Sequence, residues 1–293
     1  MAFSRLAVGV CAAAFTTVSA SACANGANAV LTQQAEAHRV SSDLRVQFTR
    51  AADASNRAVM ADTDEASSAA AHEAEQATQS VQRDIDTLRK ILDDLGDRTE
   101  AAQLDAFKAR FDEYRTLDAT ILPLAVENTN IKAQRMSFGA GQDAVTAFRQ
   151  AVGAAAKPAS ATNPRVDALA ARADAALLEV QVLQARHIAE SDEAAMTRME
   201  AAMAASQSTA RKALDSLKVL LPAAAGNPLA DATAALDRFA AVNAEIVTLS
   251  RRNSNVRSLA LSLGRKRTVT AECDDMLQAL EDTLAKHHFA ATR

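Results

Sequence analysis

The chain has 293 residues, of which 49% are hydrophobic and only 3% aromatic, with 8 glycines and 5 prolines. So few turn-forming residues and so much alanine indicate an all-α protein, because alanine has the highest helix propensity of all residues. The formal net charge of −4 excludes the strongly basic surface that is typical of general nucleic-acid binders, so we expect no nucleic-acid partner.

Residues 1–29 follow the pattern of a secretory signal segment. Arg5 supplies a positive charge, an apolar run follows it, and the small residues at 20–22 offer a cleavage site. Cys23, directly after that site, is a candidate for lipid attachment, with plain cleavage and an uncleaved anchor as the alternatives. We therefore expect an exported protein of the periplasm or cell envelope. Cys273 would then remain as a single cysteine, which leaves no intrachain disulfide.

Capping signals divide the chain beyond residue 30 into helices. The acidic turn at residues 62–65 places Asp and Glu three apart, as in a capping box, and Gly96 followed by Asp97 reads as a helix stop and a new start. These turns predict two helices of roughly thirty residues each before Gly96.

The strongest break in the sequence lies at residues 158–164. Pro158 is expected to interrupt a helix, and the Asn-Pro pair that closes the segment reads as an N-cap followed by the first helical residue. We therefore predict a linker over 158–164 between a first domain, 30–157, and a second domain, 165–293.

The second half of the chain repeats features of the first half. The acidic turn returns at residues 190–193, and a Pro-rich turn at 222–228 takes the place of the Gly96 turn. Three pairs of helical stretches also match: residues 44–48 with 178–182, 85–89 with 214–218, and NTNIKAQRMSFG at 128–139 with NSNVRSLALSLG at 253–264. The two halves are therefore predicted to be repeats whose length changes fall in turns.

The two Asn-x-Asn stretches are predicted to be structural turns, formed by Asn128 with Asn130 and by Asn253 with Asn255. Without a turn, the third helix of each repeat would run to nearly twice the length of its neighbours, and asparagine tolerates both the left-handed conformation and the N-cap position. The alternative place for the turn in the first repeat is Gly139-Ala140-Gly141.

An apolar seam follows each Asn-x-Asn stretch at the spacing of a packed helix. The seam of the second repeat comprises Val256, Leu259, Leu263, Lys266, Thr270, Cys273, Leu277, Leu280 and Leu284, and that of the first comprises Ile131, Gln134, Phe138, Gly141, Val145, Phe148 and Val152. Each repeat then has four helices, so we predict two tandem up-down four-helix bundles after the signal segment.

Three features together resemble the four-helix-bundle ligand-binding domain of methyl-accepting chemotaxis proteins. They are the acidic turn after the first helix, the turn LDDLGDRTE at residues 92–100, and the stretch FDEYRTLDATILPLAVENTNIKA at 111–133. The resemblance implies a tandem duplicate of a sensory module that binds small molecules. The sequence lacks the transmembrane, HAMP and signalling parts of such receptors, so the signal is expected to pass through a membrane receptor or another envelope protein.

Catalytic and cofactor motifs are absent from the sequence, which has no Cys-x-x-Cys-His and no second histidine four residues after His72. We expect no enzyme activity and no cofactor. His187 is expected to cap a helix end, with a metal or pH-sensitive site as the alternative. The methionines at 196, 199 and 203 are expected in the core rather than in a copper site, and His287 and His288 could bind metal adventitiously.

Six basic residues and no acidic residue occur between positions 251 and 267. They form either a solvated face paired with carboxylates of neighbouring helices or a site for a small anionic ligand. For the second case the candidate ligand-binding residues are Arg257, Arg265 and Lys266, with Asn243 in a polar layer of the same bundle. Arg257 is the expected bidentate partner of a carboxylate.

The function that these observations predict is that of an exported, non-enzymatic sensory or ligand-binding protein that acts through a partner. The alternative is a structural envelope protein, a helical spacer or coiled-coil scaffold without a small-molecule ligand. The sequence leaves open whether the chain forms a homodimer.

Overall fold

The computed structural model describes residues 17–160 and 162–291, with the side chains of 28–159 and 162–286. All regular structure in these ranges is helical and no β-strand occurs there, which confirms the predicted all-α class. None of the helices described combines the length and hydropathy that crossing a bilayer requires. The predicted cleavage and lipidation sites, at 20–22 and Cys23, lie outside the described side chains.

The helices are α1 Thr17–Met60, α2 Asp64–Leu95, α3 Arg98–Glu127, α4 Thr129–Met136, α5 Gln142–Ser160, α6 Pro164–Ala189, α7 Glu193–Leu220, α8 Gly226–Arg252, α9 Ser254–Leu261 and α10 Arg267–Ala291. A π-helical segment, Ser137–Gly141, joins α4 to α5. The corresponding segment Ser262–Lys266 joins α9 to α10 across a kink at Gly264, whose φ of −85° and ψ of −121° are not helical.

Side-chain caps and a left-handed glycine set several of these boundaries. The Thr63 hydroxyl accepts the Ala66 N–H at 3.0 Å at the start of α2, and the Asp192 carboxylate accepts the Ala195 N–H at 2.7 Å at the start of α7. Gly96 ends α2 with a φ of 75°, a conformation that glycine adopts without steric cost. These turns were readable from the sequence because each is determined locally.

Two prolines do not break the chain where the sequence predicts. α5 continues through Pro158 to Ser160, because in the last turn of a helix the missing N–H removes at most one hydrogen bond. α8 begins at Gly226, two residues before Pro228. The predicted linker 158–164 is therefore helical up to Ser160 and again from Pro164.

Asn128 and Asn253 separate α3 from α4 and α8 from α9, with left-handed φ values of 50° and 55°. The glycine alternative is wrong, since Gly139 and Gly141 lie inside a π-helical segment. Asn130 and Asn255 are also not turn residues, because both lie within the short helices α4 and α9.

The chain divides into two compact units, neither of which is continuous in sequence. The first unit comprises Met1–Ala54, His72–Leu117 and Arg265–Arg293, and the second comprises Ser55–Ala71 and Asp118–Gly264. This division differs from the predicted domains 30–157 and 165–293. The predicted boundary treats each repeat as self-contained, whereas α5 and α10 each contribute to the core built by helices of the other repeat.

The core of the first unit is formed by α1, α2, α3 and α10, for example by the completely buried Leu44, Leu88 and Leu277. An aromatic cluster fills its centre, where the Phe48 ring lies edge-on to the Tyr114 ring with centroids 5.3 Å apart.

The core of the second unit is formed by α5, α6, α7 and α8. Phe148, Val180, Leu217 and Phe239, one from each of these helices, have no exposed surface. Deleting such side chains costs about 2–5 kcal/mol in proteins generally, so these positions anchor the unit.

The first helices of the two repeats are related by a different register from the predicted one. The prediction pairs Leu44 with Leu178, but Leu44 is completely buried whereas Leu178 is 41% exposed. The equivalent caps Thr63 and Asp192 lie 129 residues apart, and this offset pairs Leu44 with the buried Ala173. The similar stretches LRVQF and LEVQV therefore do not occupy equivalent positions, because aligning them places the buried Leu44 opposite the exposed Leu178.

The predicted seams are wrong up to Phe138 and Leu263, which lie inside the segments Ser137–Gly141 and Ser262–Lys266, and largely correct from Gly141 and Lys266 onward. Leu263 and Phe138 are 63% and 72% exposed, whereas Lys266 and Leu277 are buried. A π-helical turn holds an extra residue, which rotates the preceding face by about 100° relative to the following one. The face that is buried instead carries small residues, namely Thr129, Ala133 and Ser137 in the first repeat and Ser254, Ser258 and Ser262 in the second.

Candidate functional site

The two Asn-x-Asn stretches meet inside the second unit, and each one caps the short helix that follows the other. Thr129 N–H donates to Ser254 Oγ at 3.1 Å, and Ser254 N–H donates to Thr129 Oγ1 at 3.0 Å. Asn130 N–H and Asn255 N–H donate in the same reciprocal way to each other's side-chain oxygen, at 3.1 Å in both directions. We call residues 128–130 and 253–255 the asparagine clasp.

The clasp satisfies donors that a helix leaves unpaired at its N-terminus. Asn128 and Asn253 precede α4 and α9 but make no side-chain cap to their own helix. The caps come instead from the other repeat, which explains why the chain carries the motif twice. Asn130 Nδ2 also donates to Asn253 Oδ1 and to the Ile188 carbonyl, both at 2.7 Å.

A buried polar chain lies next to the clasp along the second unit. Ser137 Oγ donates to Gln184 Oε1 and Gln184 Nε2 donates to Asn243 Oδ1, both at 2.8 Å. On the first-repeat side, Ser55 Oγ donates to Asp118 Oδ1 at 2.7 Å. Asn243 and its counterpart Asp118 therefore both hydrogen-bond within the second unit.

A groove of about 480 Å³ lies in the second unit beside the π-helical segment Ser137–Gly141. The residues that line it include Gln134, Gln142 and Gln181, which carry carboxamides, and the apolar residues Phe138, Val182 and Ile188. We call it the amide groove. Its volume lies in the range of small-molecule pockets, about 300–1,000 Å³.

The amide groove is connected to the buried polar chain. Ser137 lines the groove and is also the first donor of the chain that reaches Asn243 on α8. Gln181 Nε2 donates to Gln142 Oε1 at 2.9 Å, so a hydrogen bond also joins α6 to α5 at the groove. The groove was not predicted from the sequence, where the polar Gln134 in the predicted apolar seam is the one residue that departs from the core pattern beside it.

His187 is completely buried in the second unit and joins three helices rather than capping α6. Its Nδ1 lies 2.5 Å from Ser250 Oγ and its Nε2 lies 2.8 Å from Glu200 Oε1. Arg251 Nε donates to the same Glu200 oxygen at 2.6 Å. Arg251 and, to a smaller extent, His187 lower the pKa of Glu200 below its usual value, against the opposing effect of partial burial.

The predicted anion-binding residues do not share one unit. Asn243 and Arg257 lie in the second unit, whereas Arg265 and Lys266 lie in the first. Arg265 Nε donates to Glu113 Oε1 at 2.6 Å, and this contact is the main cause of the lowered pKa of Glu113.

Other basic residues of the same stretch also face carboxylates. Arg252 pairs with Glu127, with Nε 2.6 Å from Oε2, and Arg251 pairs with Glu200. Arg257 is exposed, and its charge adds to that of Arg252 in lowering the pKa of Glu127. For these residues the structure favours the paired, solvated face over an anion site.

Lys266 and Cys273 occupy the core of the first unit. Lys266 is 2% exposed, with its nitrogen 5.2 Å from the centroid of the Tyr114 ring, a cation–π arrangement. Burial raises the pKa of the Cys273 thiol to about 12, so the thiol is unreactive at neutral pH.

No metal is assigned to the remaining candidate metal-binding residues. Met196, Met199 and Met203 are buried core residues of α7. The side chains of His287 and His288 lie outside the described part of the chain. Among the side chains that the structure does describe, no three His, Cys, Asp or Glu residues are grouped closely enough to hold a metal ion.

Comparison of the chain with protein-family models, with curated proteins and with solved structures finds no match. The function must therefore be argued from the geometry of the clasp and the groove.

Proposed function

We propose that the chain is an exported, non-enzymatic sensory protein, in which a duplicated sequence builds two chemoreceptor-like four-helix cores, and that it binds a small molecule in the amide groove. The observation that carries this proposal is the link from the groove through Ser137 and Gln184 to Asn243. A ligand that contacts Ser137 touches the end of a buried hydrogen-bond chain, so binding can shift helices of the second unit.

The π-helical segment supports the same proposal. Such segments are rare and occur frequently at functional sites, because the widened turn is held only where packing compensates for it. Here the segment supplies Ser137 and Phe138 to the groove. A helix displacement that begins there would pass to a membrane receptor or another envelope protein, as the resemblance to chemoreceptors implies.

A structural role as a helical spacer is the second candidate. The apolar cores of both units favour it, since a scaffold needs continuous packing and no ligand. The two candidates differ in one measurable property, because a ligand that binds only the folded state raises its thermal stability.

The test is a thermal-shift screen of the full chain with amino acids, organic acids, aromatic amides and metal ions. Ala185→Trp fills the groove, whereas Ala201→Trp places the same ring on an exposed position of α7 outside it. We expect a compound that raises the Tm of the wild type and of Ala201→Trp but not of Ala185→Trp. If every compound leaves the wild-type Tm unchanged, the spacer function is favoured instead.

A further inference from the structure

The amide groove contains no ionisable side chain among the residues that line it. A charged ligand would lose part of its hydration there without gaining a partner of opposite charge among the lining residues, which disfavours its binding. The groove therefore differs from the basic stretch 251–267, where carboxylates and guanidinium groups neutralise one another.

Hydrogen-bonding sites are nevertheless plentiful in the amide groove. A carboxamide has two N–H donors and two acceptor lone pairs. The bond between Gln181 and Gln142 uses one donor and one acceptor site, and Gln142 Nε2 also donates to Thr146 Oγ1 at 3.5 Å. Gln134 supplies a third carboxamide. The Ser137 hydroxyl donates to the buried Gln184, so any further hydrogen bond of this hydroxyl is as an acceptor.

An apolar surface accompanies these polar groups. Phe138 and Val182 are 72% and 62% exposed, so their apolar surface is accessible to a ligand in the groove. The exposed Phe138 ring can stack with a planar ligand, and aromatic pairs of this kind contribute about 0.5–1.5 kcal/mol beyond burial.

We propose that the ligand of the amide groove is an uncharged planar molecule that carries both a hydrogen-bond donor and an acceptor, such as an aromatic carboxamide. This inference rests on the proposed sensory function, and it specifies the class of ligand for the same site. It replaces the carboxylate ligand that the basic stretch suggests.

Three probes with one ring and different charges test the proposal: benzamide, benzoate and benzylammonium. NMR titrations of the full chain at pH 7 are expected to give a Kd for benzamide at least tenfold below the values for the two ions. In Gln181→Glu the preference should shift toward benzylammonium. Gln150→Glu, which adds the same charge at an exposed position of α5 outside the groove, should leave the order unchanged.

The outcomes of these titrations test the class of ligand, and they do not depend on the test of the sensory function. Equal or tighter binding of benzoate or benzylammonium to the wild type overturns the neutral class, and so does the absence of binding by benzamide. Neither result removes the sensory function, which depends on the difference between Ala185→Trp and Ala201→Trp with other compounds.

Discussion

The two copies of the Asn-led segment, 128–141 and 253–266, begin alike and end differently. Their asparagines make reciprocal hydrogen bonds of equal length, so the clasp is close to two-fold symmetric. The segment that follows is π-helical and ends at Gly141 in the first copy, whereas in the second it is kinked at Gly264 and ends at the buried Lys266. The residues that must pair with the other copy are thus alike, whereas residues that face separate cores have diverged.

The difference shows that the clasp and the cores restrict the choice of residue in different ways. In the clasp, each buried N–H has a partner only if the other repeat presents an oxygen at the matching position. In the cores, any side chain that fills the space is acceptable, and even a lysine is accommodated beside the Tyr114 ring.

The largest effect is expected for Asn130→Ala, which opens the clasp. The change removes the acceptor of the Asn255 N–H and the donor to Asn253 Oδ1. Each buried polar group without a partner costs about 1–3 kcal/mol, so we expect a loss of about 2–4 kcal/mol. Urea unfolding followed by circular dichroism measures it.

The matched control for the clasp is Asn227→Ala, at an exposed position near the start of α8. It should change stability by less than about 0.5 kcal/mol, as surface substitutions generally do. Equal losses in the two variants would contradict the role of the clasp.

The next effect is expected at Lys266, where two substitutions separate the contribution of the aliphatic side-chain carbons, the stem, from that of the charged ammonium group. Lys266→Ala removes a buried stem and should cost about 2–4 kcal/mol. Lys266→Met keeps the aliphatic part of the side chain and removes the cation over the Tyr114 ring, so it should lose less stability than Lys266→Ala.

Urea midpoints compare these variants with Lys90→Ala, which truncates an exposed lysine of α2 in the same unit. The control should be close to wild type. If Lys266→Met lost as much stability as Lys266→Ala, the charge itself would be required in the core, and the view that any filling side chain suffices would fail.

Sequence reasoning succeeded where structure is determined locally. The all-α class, the Thr63 and Asp192 turns and the left-handed Gly96 each depend on a few neighbouring residues. The left-handed asparagines at 128 and 253 are of the same kind.

It failed where the outcome depends on distant parts of the chain. The apolar stripes of α5 and α10 fit a bundle core in the same way, so their pattern does not indicate which repeat each helix joins. The π-helical segments have no simple sequence signal, and without them the seam places Phe138 in the core instead of beside the groove. The amide groove followed from that rotation and was therefore not predictable by periodicity.

Glycines 139 and 141 allow a smaller test of the first copy. A methyl group on Gly139 would meet no atom within 4 Å, whereas one on Gly141 would lie 3.2 Å from the Met136 carbonyl oxygen. Gly139→Ala should therefore stabilise the chain by about 0.5–1 kcal/mol through helix propensity. Gly141→Ala should gain less or lose stability, and equal gains in Tm would show that the close approach at Gly141 does not matter.

The smallest effect is expected where the two copies carry opposite charges at equivalent positions, Glu127 and Arg252. Hydrogen bonding to Arg252 lowers the pKa of Glu127 below its usual value of 4.5, with smaller contributions from the charges of Arg257 and Lys132. A carboxylate with a lowered pKa stabilises the fold above its unfolded-state pKa, and this contribution is lost as the pH falls through the folded-state value. The stability difference between wild type and Arg252→Gln should thus be present at pH 7 and shrink below about pH 4.5.

The exchange of both residues, Glu127→Arg with Arg252→Glu, should recover only part of the difference in urea midpoint at pH 7, because the new arginine faces Arg257 and Lys132. Full recovery would mean that the surroundings of the pair are as symmetric as the clasp itself.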